Sequence, residues 1–459
     1  MALIKSISGI RGTIGGHPGD NLTPLDVVQF VAAFVTFLKK TDAPLTIIVG
    51  RDARVSGEMI NKIVCSTLQS LGVNVVDIGL STTPTVEMAV IHQHADGGII
   101  LTASHNPMQW NALKLLNAKG EFISANDGAE VLRIANEQDF CFAEIKNLGT
   151  YTTYQKAIDE HIDEILKLDL VHVNAIQKAH FSVAIDCVNS TGGIAIPRLL
   201  ERLGVNSVKV LNGEPTGNFA HNPEPLPQHL HEISNLMKRG HFNVGFVVDP
   251  DVDRLAVISE NGEMFGEEYT LVAVADYVLK HQKGNTVSNL SSTRALRDIS
   301  MMYGVDYHAS AVGEVNVVEM MKATHAIIGG EGNGGVIYPA LHYGRDALVG
   351  IALFLSMLAE SGKNCSEIRH ALPSYFISKN KIELHEGMNV RSILDAIAKK
   401  YAEYEVNTID GVKIDFEHGW IHLRPSNTEP IIRIYAEGGN ETIADNMAKK
   451  IISDIREVI

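Results

Sequence analysis

The strongest constraint on the fold is a long-range internal repeat. SLGVNVVDIG at 70–79, RLGVNSVKV at 202–210 and MYGVDYHA at 302–309 share one plan. Each follows an apolar-periodic segment (58–71, 194–203 and 294–303) that predicts a helix. Each places a glycine, Gly72, Gly204 or Gly304, where a helix stops in the left-handed conformation. Each then runs into a β-branched strand. The surroundings repeat as well. TIIVGRDARVSG (46–57), FSVAIDCVNSTGG (181–193) and NTVSNLSSTRA (285–295) precede the helices. GGIILTASHNP (97–107), FNVGFVVDPDVDRL (242–255) and HAIIGGEGNGG (325–335) follow, each a strand running into a polar loop.

Strands alternating with helices predict βαβ units and largely parallel sheets. The expected fold class is α/β: three similar αβα modules with mostly parallel mixed sheets, then a smaller C-terminal α+β domain. The domains are expected at 1–150, 151–257, 258–370 and 371–459. In open α/β sheets ligands gather at the carboxyl ends of strands, so the three post-strand loops are the natural places for chemistry.

The net charge of −15 argues against nucleic-acid or anionic-membrane partners, which need a basic footprint. Cys65, Cys141, Cys187 and Cys365 are scattered, with no C-x-x-C pair, as expected of reduced thiols. The opening MALIKSISGIRGTIGG has no apolar h-region, and the apolar stretch Val27 to Leu38 is too short to span a bilayer. A cytoplasmic protein is expected.

DPDVDR, 249–254, is the sharpest of the loops. Pro250 excludes a helix interior, and in an extended loop Asp249, Asp251 and Asp253 would point the same way. Three such carboxylates repel unless a hard cation such as Mg²⁺, Mn²⁺ or Ca²⁺ sits among them. An EF-hand fails, because Arg254 stands where its glycine belongs and Leu255 to Ile258 read as a strand. An acidic surface turn is the plainer alternative. TASHNP offers Ser104 and His105 in what is equally a polar turn. A protease-like serine lacks its G-x-S-x-G elbow, and adjacent His105 is not expected to fold back onto its neighbour. Lys114 is a proton-transfer candidate or a solvated strand-edge lysine. GGEGNGG matches G-x-G-x-x-G, but VIYPA behind it reads as a strand, so a dinucleotide site is disfavoured. A loop aiming Glu331 and Asn333 at hydroxyl groups, or a glycine-rich hinge, fits equally. In the tail, RPSNTEP gathers Arg424, Ser426, Asn427 and Thr428, with Arg433 soon after: a phosphate cradle or an Asn-containing turn. Arg11 in SGIRG, and Arg51 and Arg54 in GRDAR, add positive charge that a surface would also explain.

TASHNP, DPDVDR, GGEGNGG and RPSNTEP in this order, with SGIRG and GRDAR, resemble the α-D-phosphohexomutase superfamily over essentially the whole chain, with most likeness to its archaeal-type phosphoglucosamine mutases. The resemblance implies four domains around a central cleft: phosphoserine, metal-binding, sugar-recognition and phosphate-binding. It implies interconversion of hexose 6-phosphate and hexose 1-phosphate through a phosphoserine at Ser104 and a 1,6-bisphosphate, the latter also serving as activator. Asp249, Asp251 and Asp253 would hold one Mg²⁺ with an oxygen on Ser104. Lys114 would be general acid or base, and Arg11, Arg254 and His105 would offset charge. Glu331 and Asn333 would read sugar hydroxyls. Arg424, Ser426, Asn427, Thr428 and Arg433 would hold the non-reacting phosphate. The tail domain would hinge near 369–375, and the enzyme would be a monomer or homodimer. Ala112, Val315, Asn333, Gly335 and Asn427 depart from the pattern of many relatives, mostly in sugar- and phosphate-reading loops. Glucosamine phosphate is the expected substrate. A phosphomannomutase/phosphoglucomutase of dual specificity, or a non-catalytic sugar-phosphate binder, is the alternative.

Overall fold

The computed structural model describes residues 3–6, 9–41, 43–385, 389–426 and 431–458. It divides into two compact units, Met1–Thr270 with Asn333–Glu367, and Leu271–Gly332 with Ile368–Ile459. The architecture is the expected α/β class, with mixed sheets.

In the first unit a seven-stranded sheet runs Leu3–Ser6, Gly9–Thr13, Trp110–Leu116, Gly97–Leu101, Thr46–Arg51, Asn74–Leu80, Tyr151–Thr153. Its central strand Gly97–Leu101 is apolar throughout because both faces are covered. Ile99 and Leu101 join a core with Phe30 and Phe34 of helix Pro24–Leu38. Ile100 joins another with Val86, Ala89 and Val90 of helix Thr83–His92. Each of the larger side chains among these contributes about 1.5–3 kcal/mol on burial. The helices of the repeat end as expected, with Gly72, Gly204 and Gly304 at φ 80°, 80° and 68°.

Half of this sheet is antiparallel. Trp110–Leu116 returns beside Gly97–Leu101 with Leu113 opposite Leu101. Residues 102–109 alone join the two strands, too few for the crossover a parallel return needs. The second sheet does the same. Val244–Val248 is parallel to Ser182–Asp186, but residues 249–254 lead straight into antiparallel Leu255–Ser259, with Val248 opposite Leu255. The serine and aspartate loops therefore sit at the tips of antiparallel pairs rather than in strand-to-helix turns.

The second unit holds Thr286–Asn289 parallel to both Tyr307–Ser310 and Ile328–Glu331. It also holds an antiparallel sheet ordered Phe376–Glu383, Ile431–Gly438, Gly419–Pro425, Val412–Phe416, Glu405–Asn407. Ile393 and Ile397 of helix Val390–Lys400, and Ile451 and Ile455 of helix Glu441–Val458, share its core. Among the described residues no helix is long and apolar enough to cross a membrane.

Candidate functional site

Ser104 stands in the serine loop with a left-handed backbone, φ 49°, uncommon for a residue with a Cβ. The conformation is braced from several sides. The Ser104 amide donates to Thr102 Oγ1 at 3.0 Å, and Thr102 donates to Asp52 Oδ2 at 2.6 Å. Arg54 supplies the rest of the support. Its guanidinium donates to the backbone carbonyls of Ser104, Asn106, Pro107 and Trp110, while its Nε pairs with Asp52 at 3.0 Å. Arg54 is 1% exposed. It is a buried tie for the serine loop, and the surface-charge reading of that arginine is corrected.

The aspartate loop meets Ser104 directly. Ser104 Oγ donates to Asp249 Oδ2 at 2.8 Å. Asp249, Asp251 and Asp253 are fully buried. They converge through a turn rather than by alternation in an extended loop: Val252 takes φ 63°, and the amides of Asp253 and Arg254 donate to Asp249 Oδ1, both at 3.2 Å. From outside the loop, Ser190 and Thr191 donate to the Pro250 carbonyl at 2.7 and 2.9 Å, and Thr83 donates to Asp251 Oδ2 at 2.6 Å.

Lys114 and Arg345 provide the nearest countercharge. Lys114 Nζ reaches Asp251 Oδ2 at 2.8 Å and Asp253 Oδ2 at 3.7 Å. Arg345 Nη2 donates to Asp253 Oδ2 at 2.6 Å. Burial opposes the charge on Lys114, but Asp251 and Asp253 outweigh it and raise its pKa. This is a buried, paired lysine rather than a solvated strand-edge one. Burial, then repulsion from Asp253 and Asp251, pushes Asp249 well above the carboxylate range. A cation would relieve that repulsion, and the donor set fits one. Asp251 Oδ1 and Asp253 Oδ1 are buried without a hydrogen-bond partner, an arrangement that costs about 1–3 kcal/mol per group when nothing satisfies it. One ligand atom from each aspartate lies within 4.8 Å of the others. All-oxygen donors suit a hard divalent ion. Glu260 bonds the Ser366 amide at 3.2 Å, and Leu255–Ser259 is a strand, so the EF-hand alternative is absent.

Three further residues ring the serine loop. Arg11 Nη1 donates to Asn106 Oδ1 at 3.3 Å, and burial, then Arg254, lowers its pKa. Arg254 Nε lies 4.0 Å from Asp253 Oδ1 and its Nη1 3.8 Å from Glu224. His105 does fold back, contrary to expectation: the left-handed Ser104 brings its Nδ1 to 3.3 Å from Ser104 Oγ. Burial, then Arg254, depresses its pKa well below the usual range, so near neutral pH the imidazole is uncharged. Arg345 and Thr83 escaped the sequence reading because contacts across more than ninety residues leave no local trace. One signal was available: the G-R-D of GRDAR recurs as Gly344, Arg345 and Asp346.

In the glycine-rich stretch, Gly334 is fixed by close packing. At Gly334, φ 85°, a Cβ would stand 2.4 Å from the Leu255 carbonyl. Its own carbonyl accepts the Leu255 amide at 3.0 Å. Asn333 Oδ1 turns back to the Gly335 amide at 3.2 Å.

In the second unit Glu331 is buried, and its Oε1 accepts from Asn289 Nδ2 at 2.9 Å and the Gly313 amide at 3.1 Å. Val315 lies in the first turn of helix Glu314–Thr324. Arg424 and Arg433 are directly opposed on antiparallel strands. Arg424 Nε lies 2.8 Å from Asp410 Oδ2, and Arg433 is exposed. The Ser426 amide closes the base of the loop on the Ile431 carbonyl at 3.0 Å. Asn427 and Thr428 lie outside the described residues. His422, missed in the sequence, lies between Ser291 Oγ (2.8 Å from Nδ1) and the Asp410 carbonyl (2.7 Å from Nε2).

Family models match along the chain: phosphoglucomutase/phosphomannomutase alpha/beta/alpha domain I at residues 3–141, domain II at 159–262, domain III at 266–376 and the C-terminal domain at 381–453. A phosphoglucomutase/phosphomannomutase of Thermococcus kodakarensis is 36% identical over 94% of both chains. A phosphoglucosamine/phosphogalactosamine mutase of Sulfurisphaera tokodaii is 32% identical over 98% of both. The crystal structure of a phosphoglucomutase/phosphomannomutase family protein from Burkholderia thailandensis superposes with a TM-score of 0.85 at 24% identity, covering 99% of this chain and 97% of that one.

Proposed function

Because the chain belongs to the phosphoglucomutase/phosphomannomutase family, we propose that it interconverts hexose 6-phosphate and hexose 1-phosphate with Ser104 as the phosphoryl carrier. The observation that carries this reading is Ser104 Oγ, 2.8 Å from Asp249 within the buried carboxylate cluster. In the first half-reaction the phosphorus–oxygen bond at phosphoserine 104 breaks as a sugar hydroxyl bonds to phosphorus. The hydroxyl proton ends on the Ser104 oxygen, and the product is a hexose 1,6-bisphosphate. In the second, Ser104 takes the other phosphoryl group and the sugar oxygen it leaves regains a proton. Such transfer rests on positioning and charge stabilisation. Lys114, held as an ammonium, suits proton donation and neutralisation. Arg254, Arg11 and the uncharged His105 donate hydrogen bonds to phosphate oxygens. A Mg²⁺ held by Asp249, Asp251, Asp253 and an oxygen on Ser104 would supply positive charge to the transferring phosphoryl group.

Glu331 and Asn333 would read sugar hydroxyls. Arg424, Arg433, Ser426, Asn427 and Thr428 would hold the non-reacting phosphate. The four-part division at 150, 257 and 370 assigns serine, metal, sugar and phosphate to successive domains, in a cytoplasmic monomer or homodimer.

The test is a panel of glucosamine, mannose and glucose 1- and 6-phosphates with Mg²⁺ and a trace of the matching 1,6-bisphosphate, followed by phosphorus NMR. Glucosamine phosphate is the expected preference. The 36% identical phosphoglucomutase/phosphomannomutase favours a second reading, in which mannose and glucose phosphates turn over and glucosamine phosphate does not. No turnover of any sugar would leave the non-catalytic binder.

A further inference from the structure

The first unit contains another cluster of ionisable side chains, outside the carboxylate cluster of the proposed reaction. His161 comes from helix Ala157–Leu166 and Glu87 from helix Thr83–His92. His342 and Asp346 come from the segment leading into helix Ala347–Ser361. All four are buried. His161 Nε2 lies 3.0 Å from Asp346 Oδ2, and His342 Nε2 lies 3.3 Å from the same oxygen. One ligand atom from each of His161, His342 and Asp346 lies within 4.8 Å of the others.

Each group also has a polar neighbour on its far side. His161 Nδ1 lies 3.0 Å from Thr85 Oγ1, which can accept its ring N–H. His342 Nδ1 lies 3.2 Å from Glu87 Oε2. Asp346 Oδ1 accepts the Leu348 and Val349 amides at 2.7 and 3.3 Å, capping the helix. Two imidazole nitrogens and one carboxylate oxygen thus converge, each with a polar neighbour on its outer side. A carboxylate behind a ligating histidine, as Glu87 stands behind His342, is a recurrent feature of metal sites.

We propose that His161, His342 and Asp346 bind a divalent transition-metal ion of the Zn²⁺ class, with Glu87 and Thr85 as outer-shell supports. Mixed imidazole and carboxylate donors suit Zn²⁺ or Co²⁺, whereas Mg²⁺ prefers oxygen alone. The two clusters of the first unit would therefore sort two ions by chemistry. The bound ion would tie helix Ala157–Leu166 to the segment at 342–346, with helix Thr83–His92 joined through the outer-shell groups. It would also anchor both sides of Arg345, the residue that reaches Asp253.

The test uses the full-length protein stripped of metal and then held in excess Mg²⁺. Co²⁺ is titrated in and read by its visible absorption, with bound metal counted by elemental analysis. One equivalent should bind in the presence of Mg²⁺, should persist in Asp251→Asn, and should be lost in His161→Gln and His342→Gln. Glu87→Gln should weaken binding about tenfold or more. Thermal unfolding of the wild-type protein and Asp251→Asn should rise on adding Zn²⁺, which decides the matter even if the histidine variants do not fold. Absence of Co²⁺ binding or of the Zn²⁺-dependent rise in wild type would overturn the site, as would binding that survives both histidine substitutions. The cluster would then be a proton-filled network, with His342 disfavoured by burial but carried to about 10 by Asp346 and Glu87.

Discussion

Like charges gather in both units, but on opposite terms. Asp249, Asp251 and Asp253 of the first unit are wholly buried, and the protein brings its own cations to them, Lys114 at 2.8 Å and Arg345 at 2.6 Å. Arg424 and Arg433 of the second unit oppose each other across two strands with Asp410 alongside Arg424, and Arg433 stays in solvent. Two residues before Arg424, the buried His422 is pushed down to about 4, burial being the chief cause, so it adds no charge near neutral pH. Buried charge must be answered within the fold because desolvation is expensive, whereas exposed charge can be answered by water or by a ligand. In the proposed function the first arrangement would serve the chemistry, and the second the reversible capture of an anion.

Substitutions can break this contrast, beginning with the largest effect. Ser104→Ala should abolish mutase turnover, a fall of about a thousandfold or more, while the circular dichroism spectrum is unchanged. Full turnover in that variant would mean that the first unit is not where the phosphoryl group is carried.

The next test concerns the neutral histidine. The unfolded chain binds a proton at His422 below about pH 6.5, but the folded protein does so only near 4. Stability contributed by the neutral ring is therefore complete above 6.5 and is lost as pH falls towards 4, by about 3 kcal/mol. Urea unfolding of the wild type and His422→Gln across this window should show the pH response shrinking in the variant. An equal response in both would show that the second unit tolerates an added buried charge, and the contrast would fail.

Arg424→Gln should act more gently, raising KM for the sugar phosphate about tenfold while kcat stays within a few-fold, because it would remove the proposed charge-assisted contact to the bound phosphate. A fall in kcat with KM unchanged would move this residue into the chemistry.

The sequence made the repeat legible because helix stops, β-branched strands and polar loops are local signals, and the glycines at 72, 204 and 304 do take left-handed angles. The three aspartates were legible as a group, although their convergence comes from the turn at Val252 and not from an extended chain. Partners supplied from far along the chain were not legible. In the sequence Arg54 reads as surface charge because its four carbonyl partners lie about fifty residues away, and Thr83, Arg345 and the His161 cluster depend on folding that brings distant segments together. The folding-back of His105 was unreadable because it needs a serine in a conformation serine rarely takes.

The grip of Arg54 on the serine loop has a kinetic consequence. In the proposed cycle Ser104 gains and sheds nearly two negative charges at each turnover. The carbonyls of Ser104, Asn106, Pro107 and Trp110 are all pinned to one buried guanidinium, so the main chain need not reorient as that charge comes and goes. The mount is prepaid at folding, and the reorganisation energy of each transfer falls to mobile side chains and water.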